Sequence, residues 1–207
     1  MTKEELINSL INDGYLKTES IIDAFKNVDR LDFVSEDYKK EAYGNYPLPI
    51  GYGQTISQPL TVAFMLELLN PKVNQKILDI GTGSGWQAAL LGYIVGENGR
   101  VITIERIPGL VNFAEKNINK YKFIDKGIVK IIQGNGINGY VEEAPYDGII
   151  AAATSEFIPV QWKQQVKING KIVAPVNNSI VVLEKVDSNK FIEKSFWGFS
   201  FVPLINN

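Results

Sequence analysis

The strongest constraint on the fold is an alternation between residues 71 and 176 of short apolar segments with segments of helical pattern. The apolar segments are rich in isoleucine and valine, and the segments between them repeat apolar side chains every three or four positions. Strands that alternate with helices form βαβ units, whose strands run parallel. We therefore predict an α/β fold with a mostly parallel central sheet. The predicted strands are 76–80, 100–105, 127–132, 147–153 and 170–176.

The two ends of the chain differ from this central region. Residues 1–60 contain two helical patterns and then a long segment of aromatic residues, prolines and charges, while residues 177–207 contain two strand-like segments joined by a polar turn. A chain of 207 residues can bury one sizeable core. We predict a single domain over 1–207, with N-terminal helices and an active-site loop in 1–60, a cofactor-binding βα core in 71–176 and antiparallel strands in 177–207.

The composition excludes several kinds of chemistry, because the sequence has neither histidine nor cysteine. A histidine general base, a Ser-His-Asp triad, a thiolate nucleophile and a cysteine zinc site are all ruled out. With 21 basic and 23 acidic residues, the chain lacks the basic excess typical of nucleic-acid-binding proteins. The N-terminus does not resemble a signal peptide, and no apolar stretch reaches the roughly 20 residues of a membrane span. We predict a cytoplasmic monomer with no metal, nucleic-acid or membrane partner.

A glycine-rich loop, GTGSG at 81–85, follows the first strand of the central region. Glycines permit a tight turn and close approach of a ligand, and the next helix begins with unpaired N–H groups. The G-x-G-x-G spacing of this loop differs from the G-x-G-x-x-G fingerprint of dinucleotide-binding proteins. An acid at Asp79 suits a cationic ligand such as S-adenosylmethionine. The acid that ends the next strand can accept the hydroxyls of a ribose. The alternative is a turn without a ligand. The candidate cofactor-binding residues are Asp79, Gly81, Thr82, Gly83, Ser84, Gly85, Glu105 and Arg106.

A second candidate cofactor contact is the dipeptide Asn135-Gly136, which follows the third strand of the central region. The edge of an adenine ring needs an acceptor for its amino group and a donor for a ring nitrogen. The Asn135 side-chain oxygen and the Gly136 N–H offer that pair. The alternative is a plain turn, because Asn-Gly is a common turn dipeptide.

Several motifs together resemble the protein-L-isoaspartate O-methyltransferase family. They are LPIGYGQTISQP (48–59), ILDIGTGSGWQAALL (77–91), VITIERI (101–107), APYDGII (144–150) and FVPL (201–204). The resemblance runs from about residue 30 to residue 204. It implies a Rossmann-like methyltransferase fold and S-adenosylmethionine as the cofactor, with S-adenosylhomocysteine as the product. It also implies that the substrates are isoaspartyl-containing proteins and peptides, whose abnormal carboxyl is esterified as the first step of repair.

The same resemblance assigns an active-site hydroxyl to Ser57, with Thr55 beside it, and we treat both as candidate catalytic residues. Gln54 is expected to cap the same site and to contact the cofactor. Asn135 stands where the family usually has aspartate, so it keeps an acceptor but loses the charge. The purely structural alternative is that Ser57 caps the helix that begins near Pro59.

Two other functions stay open. Relatives of this family methylate ordinary aspartate in a dedicated peptide, and a chain that keeps the fold can also bind S-adenosylmethionine without turnover. Two further interpretations concern packing. We expect Trp86, Trp162 and Trp197 to lie in the core. We expect Arg30 to pack the N-terminal segment, with binding of a peptide carbonyl or carboxylate as the alternative.

Overall fold

The computed structural model describes residues 1–205, which form six α-helices and nine β-strands. The helices are α1 (Lys3–Asn12), α2 (Glu19–Asn27), α3 (Pro59–Leu69), α4 (Trp86–Val95), α5 (Pro108–Asn119) and α6 (Val160–Gln165). The strands are β1 (Leu48–Gly51), β2 (Gln54–Ile56), β3 (Lys76–Ile80), β4 (Arg100–Glu105), β5 (Val129–Gln133), β6 (Tyr146–Ala151), β7 (Val166–Val176), β8 (Ser179–Asp187) and β9 (Lys190–Trp197). No helix within residues 1–205 is both long enough and apolar enough to span a membrane.

Seven of the strands form one sheet in the order β5-β4-β3-β6-β7-β8-β9. The first five in this order are parallel, and β8 and β9 add to the end of the sheet in antiparallel orientation. This confirms the predicted mostly parallel sheet with antiparallel C-terminal strands. The chain proceeds from β3 outward in one direction to β4 and in the other to β6. The carboxyl ends of these strands therefore flank a topological switch point, where open α/β sheets bind their ligands.

The sheet is buried on both faces, which explains why its central strands are continuously apolar rather than alternating. Ile77 of β3 packs into a large core with the helices α1 to α5. Leu78 and Ile80, which point to the other face, pack into a smaller core with Trp162 and Tyr146. Burial on both faces fixes the register of β3 and therefore the position of the loop that follows it.

For the segment before α3 the sequence predicts a long loop with one helical turn near residues 35–42, and the structure shows that turn together with further regular elements. Residues Arg30–Phe33 and Glu36–Glu41 form short 3-10 helices, and β1 pairs with β2 as an antiparallel hairpin that we did not predict. The hairpin turns at Gly51, Tyr52 and Gly53, all with positive φ angles. The polar, glycine-containing stretch is therefore a hairpin because its two glycines and Tyr52 adopt the backbone angles that tight turns require.

The alternative role of Ser57 as a helix cap is wrong. Helix α3 begins at Pro59 and its N-cap position is Gln58, which makes no side-chain capping hydrogen bond. Proline at the first helical position lacks the N–H that a cap would otherwise help to satisfy. Ser57 precedes the cap by one residue, so its side chain is available for another purpose.

The tryptophans divide between core and surface. Trp86 and Trp162 are buried, as predicted, but Trp197 is 81% exposed and its assignment to the core is wrong. Trp197 ends β9, which is the edge strand of the sheet. Sequence composition alone does not distinguish an edge strand from a central one.

Candidate functional site

The glycine loop, residues 81–85, follows β3 at the switch point of the sheet. Gly81, Gly83 and Gly85 have φ angles of +88°, +54° and +91°, a region that side chains disfavour. The carboxylate of Glu105 at the end of β4 accepts hydrogen bonds from the N–H groups of Gly83, at 2.9 Å, and Ile107, at 3.0 Å. Glu105 thus fixes the glycine loop to the start of α5 while lining the same cleft.

We call the space beside this loop the glycine-loop cleft. It holds about 660 Å³ of non-protein volume, part of it open to solvent. It is lined by Gln54, Thr55, Ile80, Gly81, Gly83, Ile104, Glu105, Arg106, Ile107, Leu110, Gly134, Gly136, Ala152, Ala153 and Val202–Ile205. The structure therefore brings six of the predicted cofactor-binding residues to one cleft: Gln54, Gly81, Gly83, Glu105, Arg106 and Gly136.

The chemistry of this cleft fits S-adenosylmethionine. Isoleucine and leucine side chains form an apolar wall suited to an adenine ring, and the carboxylate of Glu105 lies among them, a type of group that accepts hydrogen bonds from ribose hydroxyls. A Cβ atom on Gly83 would lie 3.5 Å from Ile50, and one on Gly81 would lie 3.8 Å from Ala152. These are ordinary van der Waals distances, so it is the positive φ angles of the two glycines, and not crowding at the Cβ position, that disfavour side chains there.

Three predicted cofactor-binding residues are not among the residues that line the cleft. Asp79 is fully buried and accepts hydrogen bonds from Gln87, at 2.7 Å, and Thr103, at 2.7 Å. Gly85 is the N-cap of α4, and Asn135 caps a short 3-10 turn by accepting from the Ile137 N–H at 3.0 Å. These contacts shape the loops on which the lining residues stand.

Burial raises the pKa of Asp79 to about 6, although hydrogen bonds from Gln87 and Thr103 oppose the rise. The folded protein therefore holds this proton up to a higher pH than the unfolded chain does, and Asp79 lowers stability as pH rises from about 4 to 6. A shift of this size corresponds to roughly 3 kcal/mol.

We expect the replacement Asp79→Asn to reduce the loss of unfolding free energy between pH 4 and pH 7, measured by urea titration. The exposed Asp125→Asn is the control, and an equal loss in wild type and Asp79→Asn would contradict this assignment.

A second depression, which we call the hydroxyl groove, adjoins the cleft. It is lined by Pro47, Thr55, Ser57, Gln58, Thr61, Ala152 and Gly198–Val202. All of these residues are uncharged, and several carry hydroxyl or amide groups. Thr55, Ala152 and Val202 line both the groove and the glycine-loop cleft, so the two depressions meet at these residues.

A small cavity connects the groove with the glycine loop. Thr82 and Ser84, the two remaining predicted cofactor contacts, line it together with Thr55 and Ser57. The Thr82 hydroxyl lies 2.6 Å from the hydroxyl of Thr103, which in turn donates to Asp79. The candidate catalytic hydroxyls are therefore next to the middle of the glycine loop.

The tip of the β1–β2 hairpin reaches across the site to α5. Tyr52 lies against Gly109, at the second position of α5, so closely that a Cβ atom on Gly109 would overlap the Tyr52 hydroxyl. Gln54 and Thr55 on β2 are thereby held opposite Arg106 and other residues at the end of β4. The hairpin forms one wall of the cleft.

Sequence reasoning missed part of the lining. Ile104, Leu110 and Gly134 were not singled out, although each lies within a few residues of a predicted site residue. The family resemblance includes FVPL (201–204), and we expect the segment FSFVPL (199–204) to line the peptide groove. The structure places residues 198–202 in the hydroxyl groove and residues 202–205 in the cleft, where Thr154 forms backbone hydrogen bonds to Val202 and from Leu204. The apolar residues that follow Glu105 offered a local indication, whereas the contact with Thr154 had none.

Comparison with known proteins agrees with this geometry. A family model described as "Protein-L-isoaspartate(D-aspartate) O-methyltransferase (PCMT)" matches residues 1–207. Protein-L-isoaspartate O-methyltransferase of Methanopyrus kandleri is 41% identical over 98% of this chain and 91% of its own length. The protein of the same name from Methanococcus aeolicus is 43% identical over 98% of this chain and 93% of its own length.

Solved structures show the same architecture. A crystal structure from Plasmodium falciparum, of a protein described as a protein-L-isoaspartate O-methyltransferase in complex with S-adenosyl-L-homocysteine, superimposes with a TM-score of 0.87. The two sequences are 26% identical, and the alignment covers 100% of both chains. The fold is therefore the Rossmann-like fold of S-adenosylmethionine-dependent methyltransferases.

Proposed function

This chain belongs to the protein-L-isoaspartate(D-aspartate) O-methyltransferase family, and we propose that its methyl transfer takes place where the glycine-loop cleft meets the hydroxyl groove. The enzyme uses S-adenosylmethionine to methylate the free carboxyl of L-isoaspartyl residues in damaged proteins, which initiates their repair. The observation that carries the proposed location is that an uncharged, hydroxyl-lined groove meets the glycine-loop cleft at Thr55, Ala152 and Val202.

The glycine-loop cleft is the proposed binding site for the cofactor, which supplies an electrophilic methyl group when it is bound. Glu105 accepts from the ribose hydroxyls, and the backbone at Gly81 and Gly83 allows close approach. Gly136 stands at the adenine end, where its close contact with Ile80 leaves no room for a side chain. Asp79 fixes the end of β3, where the loop begins, through its two buried hydrogen bonds from Gln87 of α4 and Thr103 of β4.

The hydroxyl groove is the proposed site of the acceptor carboxylate. Ser57 and Thr55 donate hydrogen bonds to it and turn one of its oxygens towards the cleft. Neutral donors hold an anion without cancelling its charge, whereas a lysine or arginine in the groove would form an ion pair with the nucleophile. The rate enhancement comes from alignment of the reacting groups, which can lower the barrier of a displacement reaction by several kcal/mol.

The absence of histidine is compatible with this reaction. The carboxyl that an isoaspartyl residue leaves free is its α-carboxyl, which has a pKa below about 4 and is already ionised at neutral pH, so it needs no general base. Ser57 acts as an orienting group and not as a covalent nucleophile, because the sequence has no histidine that could activate it. The residues of this protein therefore bind the cofactor and the acceptor carboxylate, align the two and exclude water.

The test is a transfer assay with isotopically labelled S-adenosylmethionine and three peptides that differ at one position. One carries L-isoaspartate, one carries L-aspartate and one carries D-aspartate. We expect rapid formation of a base-labile methyl ester on the L-isoaspartyl peptide and slower transfer to the D-aspartyl peptide. The L-aspartyl peptide is the matched negative control.

Other outcomes of this assay identify the alternatives. Preferential transfer to the L-aspartyl peptide would contradict repair and favour methylation of a dedicated aspartate. Binding of S-adenosylhomocysteine without transfer to any of the three peptides would favour a non-catalytic binding protein. We also propose that the chain is a single domain that acts as a cytoplasmic monomer. Its partners in this proposal are proteins and peptides, without nucleic acid or membranes.

A further inference from the structure

Arg30 is the most deeply buried basic side chain beside the site, and it lines neither the cleft nor the groove. It is 2% exposed. Its Nη1 atom donates to the carbonyls of Ala42, at 2.7 Å, and Gly44, at 3.1 Å. Its Nη2 atom donates to the carbonyls of Tyr46, at 3.0 Å, and Ser57, at 3.1 Å. The alternative interpretation that Arg30 binds a substrate carboxylate is wrong, because the guanidinium is enclosed by the protein's own backbone.

These four contacts join two segments that the sequence separates. Three acceptors belong to residues 42–46, which lead into the β1–β2 hairpin, and the fourth is the carbonyl of the candidate catalytic serine itself. The same two segments are joined a second time, by Asn45. Its backbone carbonyl accepts from the Gln58 side chain at 2.9 Å, and its side chain accepts from the Leu60 N–H at 3.0 Å. The backbone is thus held at Ser57 and on its C-terminal side.

Arg30 also contacts the element that carries the glycine loop. Its guanidinium carbon lies 5.4 Å from the centre of the Trp86 ring, within the range of cation–π attraction. Trp86 is the first residue of α4 and immediately follows Gly85. One guanidinium therefore contacts the backbone of the acceptor side and the aromatic side chain that begins the cofactor side.

We propose that Arg30 is a positioning residue for methyl transfer, which fixes the Ser57 backbone relative to the glycine loop so that the Ser57 hydroxyl faces the acceptor. This inference rests on the proposed role of Ser57. A planar guanidinium can donate to four carbonyls spread around its edge, whereas a lysine ammonium offers three donors around one point. The arrangement is therefore specific to arginine. Burial lowers the pKa of Arg30 to about 10, so the group still carries its charge at neutral pH.

The test compares Arg30→Lys with a control that removes a buried cation elsewhere. Lys185 is 7% exposed and donates to the carbonyls of Lys163 and Val166, both at 2.9 Å, and it lines neither the cleft nor the groove. At a temperature where all variants are folded, we expect Arg30→Lys to lower kcat by about 10-fold, with S-adenosylhomocysteine affinity within about threefold of wild type. We expect Lys185→Met to lower the melting temperature and leave kcat unchanged.

A double-mutant comparison separates positioning from general destabilisation. If Arg30 acts through Ser57, Arg30→Lys should have little further effect on kcat once Ser57 is alanine. An equal loss of kcat in both backgrounds would overturn the proposal. Unchanged kcat in Arg30→Lys, with only a lower melting temperature as in Lys185→Met, would also overturn it.

Amide hydrogen exchange tests the same proposal without relying on activity. In the wild-type protein we expect the amides of residues 42–46 and 54–58 to exchange as one unit. We expect faster exchange in both segments for Arg30→Lys and no change there for Lys185→Met. Unchanged exchange in residues 54–58 of Arg30→Lys would overturn positioning. Absence of methyl transfer in the wild type would instead count against the proposed function.

Discussion

Replacement of Gly83 by valine is expected to weaken S-adenosylhomocysteine binding by about 100-fold or more. Gly83 has a φ angle of +54°, which costs a β-branched residue strain, and its missing side chain leaves room for a ligand against Ile50. Its N–H also donates to Glu105, so a shift of the loop would disturb the proposed ribose acceptor. Strain and overpacking together amount to roughly 3 kcal/mol, which corresponds to about 100-fold in affinity. Isothermal titration calorimetry measures the change directly.

The control for this variant is Gly127→Val. Gly127 has a similar φ angle of +67° and precedes the amino end of β5, whereas the glycine-loop cleft lies at the carboxyl ends of the parallel strands. We expect Gly127→Val to lower the stability of the protein without weakening S-adenosylhomocysteine binding, because the strained residue does not line the cleft. If Gly83→Val binds S-adenosylhomocysteine as tightly as Gly127→Val does, the assignment of the glycine-loop cleft is wrong.

Replacement of Ser57 by alanine is expected to lower kcat by about 10- to 100-fold while S-adenosylhomocysteine affinity stays within about threefold. The lost interaction is a hydrogen bond to a charged group, worth roughly 1.5 to 3 kcal/mol. Because Ser57 is proposed to orient the acceptor and not to bind the cofactor, the loss should fall on turnover. Initial rates with the L-isoaspartyl peptide and calorimetry with S-adenosylhomocysteine separate the two effects.

Ser195→Ala is the matched control for this variant. Ser195 is an exposed serine of β9, outside the lining of both the cleft and the groove. We expect wild-type rates from it. A Ser57→Ala variant that turns over as fast as Ser195→Ala would refute an orienting role for the Ser57 hydroxyl and would move attention to Thr55.

Residue pattern predicted the central sheet because its cause is local. Each strand is a short apolar segment, and every crossover between parallel strands except the one from β5 to β6 contains an α-helix that packs on the sheet. The sites at strand ends follow from this order, since parallel strands bring their carboxyl ends to one edge. The glycine loop and Glu105 could therefore be placed in one site before the structure was considered. The identity of the acceptor depended on family resemblance, because hydrogen-bonding groups alone do not distinguish one carboxylate from another.

The β1–β2 hairpin was not predicted because its cause is partly nonlocal. Its strands are only four and three residues long, too short for a clear alternating pattern. Its tip is placed by the contact of Tyr52 with Gly109, and its base is held by Arg30 and Asn45. None of these contacts has a sequence spacing that a local rule would recognise.

The sequence by itself determined the order of strands and helices, the glycine loop with its two acids, and a chemistry without histidine or cysteine. Tertiary structure alone decided which of these residues line the cleft. It left Asp79 and Asn135 outside the lining and brought the segment 202–205 into the cleft. It also showed that Arg30, a candidate substrate contact, is buried and donates a hydrogen bond to the Ser57 carbonyl. The physical reason is range: propensity and periodicity act over a few residues, whereas burial and hydrogen-bond partners depend on segments that are distant in the chain.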